Sequence, residues 1–500
     1  MTTDTKNFKQ RAFVIFLIVH VVVWSLLPFV RDLLPVDALE TIAWGGLWDF
    51  GTHKHPPLSG WMGYIAYNLL GKMDFALYLL GQLCVLIGFV YLYKLGRKFL
   101  NETQAILAVM ILEGCHCYSY MTVFDGFSAN FPLFALFPAI AYYFYKSMQE
   151  NKIRDWLLLG VCVGLCFLSK YQTIMLIIPM ALYLFFIPHG REQLKRSRLY
   201  LSVLIAFLLF LPHLVWLYNH EFFSLLYFEE CSARYANSYS GWIKYLQAPF
   251  MFILAQLAAV AGSILLFVIL RLKFKSANSI RTFNDSWFLI LLGICPVLFQ
   301  ALPGFFTGAE ILGTWGYPMV YLTGIMLFYF FPIKTSDKLF SWGIKFAYGV
   351  MVIIFVVLLV LFSVEKNFRS RYPYQKIARD FKTIFYEETG KPLKYIGGYI
   401  EFALPISVYD ETHPQMVLDS YGHENPWTKA DNIKQAGALI VARHYDNVKS
   451  YTEKLLPFLP ENYVAEPKEY EFTIYNKLKK PREYKLFYII IPPEPAYDSF

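Results

Sequence analysis

Long apolar runs separated by short charged loops dominate the first 365 residues, and the pattern changes abruptly afterwards. Runs long enough to cross the hydrocarbon of a bilayer occur at 12–30, 74–93, 103–122, 127–145, 155–170, 172–188, 199–218, 247–270, 286–302, 311–331 and 340–363. They predict about eleven transmembrane helices, with the 155–188 block nearly continuous. The first run follows a polar, basic start, MTTDTKNFKQR, and no small-residue cleavage site comes after it. It therefore reads as an uncleaved anchor and not as a signal peptide. Past residue 366 charges become frequent. Short β-prone stretches appear at 395–400 and 438–441, helical ones at 381–386 and 431–435, and a late strand at 487–491. The chain is thus expected to divide into a membrane domain, 1–365, and a small soluble α/β domain, 366–500. No internal repeat or nucleotide fingerprint is seen, and Gly397-Gly398 reads as a strand-end turn and not as a phosphate loop.

Composition reinforces this division. Hydrophobic residues make up 57% of the chain and charged ones 16%, so one soluble globule would have no interior large enough for its apolar side chains. The net charge of +8 is unevenly spread. After Glu365 there are 19 Lys and Arg against 18 Asp and Glu, which leaves 26 against 19 before it. The excess base lies in membrane loops, where it reports topology and does not argue for nucleic acid. The seven cysteines fall mostly in apolar runs and read as small buried hydrophobes, with no disulfide framework.

Loop charge orients the chain. One set of alternate loops carries Lys94, Arg97 and Lys98; Lys146, Lys152 and Arg154; Arg191, Lys195, Arg196 and Arg198; Arg271, Lys273, Lys275 and Arg281; and Lys334 and Lys338. The opposite loops carry far fewer. This places the N-terminus in the cytoplasm and puts the first long loop, 31–73, and everything after Glu365 on the periplasmic side.

That first loop concentrates the chemistry. Between 34 and 62 it holds Asp37 and Glu40, the cluster His53, Lys54 and His55, and Pro56-Pro57. Acids and cations gathered beside a membrane segment are costly unless used, and the use they point to is chemistry on a charged lipid headgroup. If the headgroup is a glycosyl phosphate, cations must meet the charge that develops on the leaving phosphate, a role for Lys54, His55 and Lys170. A carboxylate, Asp37 or Glu40, would serve an acceptor hydroxyl as base. Lys170, between two apolar runs, reads equally as a lysine snorkelling to the interface. Asp125 and Asn130 occupy a polar break that is otherwise a simple helix connection. Arg234, with Glu229 and Glu230, lies in an aromatic loop, and Trp44, Trp48 and Trp61 are either interface anchors or sugar-stacking platforms. His53, His55 and Asp49 leave a divalent metal possible but do not define a ligand set.

The Asp-bearing first loop ending in HPPL, the segment GLCFLSKYQ, the segment PHLVWLYNHEF and the run of spans with a soluble tail resemble the GT-C glycosyltransferases. The likeness is to the branch related to bacterial protein O-mannosyltransferases and lipid A aminoarabinose transferases, and it covers roughly residues 10–330. The resemblance implies an inverting transferase of the bacterial inner membrane. Such an enzyme takes a sugar from a polyprenyl-phosphate carrier to lipid A or another envelope glycan. It implies that Asp37 is the catalytic or acceptor-orienting acid, that His55 with Lys54 is the basic position before Pro-Pro, and that Lys170 contacts donor phosphate. Asp125, Asn130, Arg234 and Trp44 are the further substrate-binding candidates. The chain departs from its relatives in three places. Ala38 follows Asp37 where many have a second acid, so that second acid is either Glu40 or absent. Asn130 stands where an acid is often found, with Asp125 as a substitute, and the residue before Pro-Pro is His and not Lys. A protein acceptor and a transporter of lipid-linked substrates are the alternative readings. The absence of repeats and the gathering of ionisable residues at one face argue against the transporter.

Overall fold

The architecture was taken from a computed structural model, which describes residues 3–30, 33–227, 241–278, 281–364, 372–417, 430–454, 466–476 and 479–493. By contacts the chain divides into two units. The first comprises Met1–Pro28, Asp49–Ser59 and Phe75–Leu361, and the second Phe29–Trp48, Gly60–Asp74 and Phe362–Phe500.

The first unit is helical: α1 (Thr3–Leu26), α4 (Phe75–Phe99), α5 (Glu102–Met110), α6 (Met121–Asp125), α7 (Phe131–Glu150), α8 (Ile153–Ser169), α9 (Ile174–Phe186), α10 (Pro188–Gln193), α11 (Ser197–Asn219), α12 (Lys244–Lys273), α13 (Phe283–Thr307), α14 (Thr323–Phe330) and α15 (Asp337–Val364). Among the described residues six segments are long and apolar enough to cross a membrane: Asn7–Leu26, Phe75–Phe99, Ser197–Asn219, Lys244–Lys273, Phe283–Thr307 and Asp337–Phe362. Their outer faces stay apolar. On α11, Val203, Leu204, Phe207, Leu208 and Val215 are exposed, and on α15 Val352, Ile353, Val356, Val357 and Val360. Continuous apolar faces of this kind require lipid as solvent. Between such helices the hydrophobic effect is weak, so close packing of small residues takes over. Gly160 and Gly164 on α8 form a GxxxG step against α11. A Cβ at Gly160 would lie 2.5 Å from the Ser202 carbonyl oxygen, and one at Gly164 would lie 2.8 Å from Leu209 Cβ.

Two expected spans differ. The run 311–331 divides into the 3-10 turns Gly313–Trp315 and Tyr317–Val320 and the short α14. The run 103–122 is not a single helix, because α5 stops at Met110 and a 3-10 turn, Ile111–Gly114, follows. Glu113 in that turn is fully buried and accepts from His20 Nδ1 at 2.7 Å and Trp24 Nε1 at 2.8 Å. A buried carboxylate must be hydrogen-bonded, and turning the chain here brings it to donors on α1.

In the second unit, α2 (Val36–Gly45) and most of α3 (Leu58–Leu69) join the C-terminal residues. Those residues form α16 (Tyr374–Thr389), β1 (Tyr395–Gly398), α17 (Ile400–Tyr409), β2 (Gln415–Met416), α18 (Ala430–Ala436), β3 (Ala438–Ala442), α19 (Tyr445–Lys454), β4 (Lys468–Asn476) and β5 (Lys479–Ile491). The sheet order is β2-β1-β3-β5-β4, parallel across the first three strands and antiparallel at β5 and β4. Every residue of β3 is buried, as expected of a central strand read as an unbroken apolar run. At the end of β1, Gly398 has φ +116°, a backbone only glycine adopts without strain, which is the strand-end role expected of the glycine pair.

Helix α17 is buried from Phe402 to Val408 and packs on α2. At its end the Tyr409 hydroxyl donates to Asp74 Oδ2 at 2.8 Å and accepts from Leu34 N at 3.4 Å. The first of these bonds ties the C-terminal residues to the loop before α4, and the second ties them to the start of α2.

Candidate active site

A tight turn presents the basic cluster. The Thr52 hydroxyl accepts from the amides of Lys54, at 3.2 Å, and His55, at 2.9 Å, and donates to the His55 carbonyl at 2.9 Å. One side chain thereby meets the backbone needs of a segment that Pro56 and Pro57 prevent from becoming helix. Gly51 lets the turn seat against α11, since any Cβ there would overlap the Trp216 indole. His213 on α11 anchors it from beneath: its Nδ1 donates to the Phe50 carbonyl at 2.6 Å, and its Nε2 accepts from the Tyr171 hydroxyl at 2.8 Å. A carbonyl can only accept, so this arrangement assigns the ring proton to Nδ1.

Tyr171 follows Lys170 at the break between α8 and α9. The break is built by side chains that return to the backbone: Ser169 Oγ donates to Ala129 O at 3.0 Å, and Thr173 Oγ1 donates to Lys170 O at 2.8 Å. Lys170 is 7% exposed, and its Nζ donates to Asn130 Oδ1 at 2.7 Å and lies 5.9 Å from the Trp315 ring centre. Lys54 Nζ lies 5.6 Å over the Tyr227 ring. Lys54, His55 and Lys170 line one cavity of about 300 Å³ together with Tyr171, Gln172, Ser224, Tyr227, Gln300 and Trp315, among others. The lining includes no carboxylate among the described residues. Burial, with the neighbouring charges of Lys170, Lys54 and His53, holds the His55 imidazole well below its usual range, so it is neutral at pH 7. The arrangement suits an anion: two ammonium groups against aromatic rings, with a neutral imidazole on the same cavity.

The remaining candidates are placed as follows. Asn130 does not line the cavity. It is buried and its Oδ1 accepts from the Lys170 ammonium. Asp125 ends α6, half-buried and also away from the cavity lining. In the second unit, Asp37 is exposed in the first turn of α2, where the helix N-terminus favours a carboxylate, while Glu40 is buried and Trp44 half-buried on the same helix. Arg234 lies outside the described residues, as do Glu229 and Glu230. Among the described residues no three His, Cys, Asp or Glu side chains are grouped to hold a metal ion, and His53, His55 and Asp49 make no such group. Gln172, Gln300, Trp315 and His213 were not singled out by sequence reasoning. Gln172 was visible beside Lys170 in SKYQ, and Gln300 as an amide inside an apolar run.

Comparison with known proteins follows the same segments. Residues 54–216 match the family described as dolichyl-phosphate-mannose-protein mannosyltransferase. The chain is 25% identical to the lipopolysaccharide core galacturonosyltransferase RgtA of Rhizobium johnstonii over 35% of each chain. It is 25% identical to the lipid A galacturonosyltransferase RgtD of the same organism over 58% of this chain and 59% of that one. The matches thus span between about a third and three-fifths of these relatives' lengths. In fold, the chain is similar to the crystal structure of ArnT from Cupriavidus metallidurans bound to undecaprenyl phosphate. The TM-score is 0.61 at 14% identity, covering 97% of this chain and 99% of that one. At that identity the likeness is one of fold. Family match, relatives and structural neighbour agree on the GT-C superfamily.

Proposed function

We propose, for this chain of the GT-C superfamily, an integral membrane glycosyltransferase that moves a sugar from a polyprenyl-phosphate carrier to lipid A or another lipopolysaccharide component. The reaction would take place on the periplasmic face of a bacterial inner membrane. The observation that carries the reading is the convergence of Lys54, His55 and Lys170, from separate stretches of sequence, on one cavity whose lining, among the described residues, holds no acid. The similarity to galacturonosyltransferases of lipopolysaccharide core and lipid A supports the acceptor class, and the fold shared with ArnT supports the carrier.

The carrier phosphate lies against the lysines. An acceptor oxygen attacks the anomeric carbon from the face opposite the phosphate, and the bond from that carbon to the phosphate oxygen breaks. The electron pair stays on the phosphate, which passes from one negative charge towards two, and the configuration inverts. Lys54 and Lys170 meet that added charge, an interaction stronger in the transition state than in the ground state and therefore catalytic. Asp37 takes the proton of an acceptor hydroxyl, with Glu40 as second acid. If the acceptor is a phosphate, already ionised, Asp37 only orients it. The loop basic charges and Asp37 then face the periplasm, as the loop-charge pattern predicts.

The test is mass spectrometry of lipid A and polyprenyl-phosphate lipids from cells with the gene deleted, restored, and restored as Asp37→Asn. Deletion should remove one sugar mass from lipid A while the glycosylated carrier accumulates, and Asp37→Asn should fail to restore it. Full restoration by Asp37→Asn at normal protein level would sink the assignment of that acid. The matched family's description names a protein acceptor, so unchanged lipid A together with loss of sugar from envelope proteins would select a protein O-glycosyltransferase instead.

A further inference from the structure

Two amides line the cavity without hydrogen-bond partners. Gln300, on α13 one turn before Pro303, is 2% exposed, and its Oε1 has no partner. Gln172, in the short turn Tyr171–Thr173, has both Oε1 and Nε2 buried and without partners. Leaving a buried polar atom unsatisfied is costly, and an apolar side chain of similar shape would avoid that cost. Three such atoms, on side chains that line the same cavity as the lysines, point to a ligand that supplies the missing bonds.

The chemistry of that ligand can be read from the wall. The lysines account for phosphate. An amide presents one acceptor and a pair of donors without net charge, which matches a hydroxyl group and does not compete for the ammonium groups. Among the described residues the lining has two lysines and no carboxylate, which disfavours a cationic amine. We propose that Gln300 and Gln172 are the specificity-determining residues for the donor sugar, binding hydroxyl groups of a neutral or uronic sugar and not an amino sugar. This rests on the reading of the cavity as a carrier-phosphate site. The geometry fits it: a sugar joined through its anomeric oxygen to a phosphate at Lys54 and Lys170 must lie in the same cavity.

The experiment uses the full-length protein in nanodiscs and compares thermal stabilisation by undecaprenyl phosphate with that by undecaprenyl phosphate carrying galacturonic acid, glucose or 4-amino-4-deoxyarabinose. Wild type should gain from bare undecaprenyl phosphate, gain further from a hydroxylated neutral or acidic sugar, and gain nothing further from the amino sugar. Gln300→Leu and Gln172→Leu should fold as stably as wild type without ligand and keep the gain from bare carrier. They should bind the preferred glycosylated carrier about ten- to a hundredfold more weakly, the loss expected when a buried hydrogen bond to a ligand goes unmade. If Gln300→Leu does not fold, Gln300→Asn, which keeps the amide but draws it back by one methylene, makes the same comparison. Equal loss of bare and glycosylated carrier, no loss of either, or preference for the amino sugar would overturn the proposal. Failure of wild type to bind bare undecaprenyl phosphate would overturn the phosphate-site reading and this inference with it.

Discussion

Replacing Lys170 by Met tests the phosphate site most directly. The side chain is 7% exposed and its ammonium is held 2.7 Å from Asn130 Oδ1, so Met, of similar length and unbranched, fills the same space without the charge. Removing one preorganised donor from a developing negative charge costs about 2.7–4 kcal/mol of transition-state stabilisation, about 10²- to 10³-fold in kcat. Stability should change less. Loss of the buried ammonium removes a desolvation cost, while Asn130 Oδ1 loses its donor, a penalty of about 1–3 kcal/mol. The double variant Lys170→Met/Asn130→Leu removes both polar partners, so it should regain thermal stability without regaining activity. The assay is single-turnover transfer from a glycosylated polyprenyl phosphate by protein in nanodiscs, read alongside the melting temperature of each variant. Transfer by Lys170→Met within about fivefold of wild type, a loss of no more than about 1 kcal/mol, would refute the role of this lysine. So would recovery of activity in the double variant.

Three further outcomes follow from the same geometry. Gly51→Ala forces a methyl group into the Trp216 indole, so it should lower stability by about 1–3 kcal/mol and weaken carrier binding, both read in a thermal-shift titration with undecaprenyl phosphate. His55 is held below its unfolded range by burial first and by Lys170, Lys54 and His53 second. The unfolded chain therefore binds the extra proton, and stability should fall as pH drops below about 6.5. His55→Gln should flatten that acid limb of a melting-temperature profile. Asp74 is pushed up to about 6 by burial, against which the Tyr409 hydrogen bond acts. It therefore favours the fold while protonated, and that benefit is lost as pH rises through 6. Asp74→Asn, which still accepts from Tyr409, should stabilise the protein by up to about 2–3 kcal/mol at pH 7.5 and make little difference at pH 4, measured by chemical denaturation.

The site was partly legible because its residues break local patterns. A His-Lys-His cluster before two prolines, and a lysine between two apolar runs, are conspicuous in a membrane chain, and all three proposed phosphate ligands line the cavity. The functions of their supports were not legible. Asn130 stands in a polar break of the sequence, and only the structure shows its 2.7 Å bond to Lys170. Gln300 looks like one tolerated polar residue in a helix until the structure places it in the lining of the cavity that the lysines also line. His213 reads as part of an apolar segment, yet it joins the Phe50 carbonyl to the Tyr171 hydroxyl.

What the sequence by itself determined is whatever depends on local period and composition. Helices with lipid-facing stripes, the mixed α/β character of the C-terminal residues and the central strand β3 all follow from apolar spacing, because burial and lipid exposure act on each segment one by one. What only the tertiary structure decided is partnership. Hydropathy counts Glu113 as one tolerable charge in a span, whereas the structure sets it in a 3-10 turn after α5, bonded to His20 and Trp24. The first loop reads as an insert of the membrane domain, yet its helix α2 packs with α17, with Tyr409 bonded to Leu34 and Asp74. A buried polar group must find a donor or acceptor somewhere in the molecule, and nothing in the spacing around it says where that partner will be.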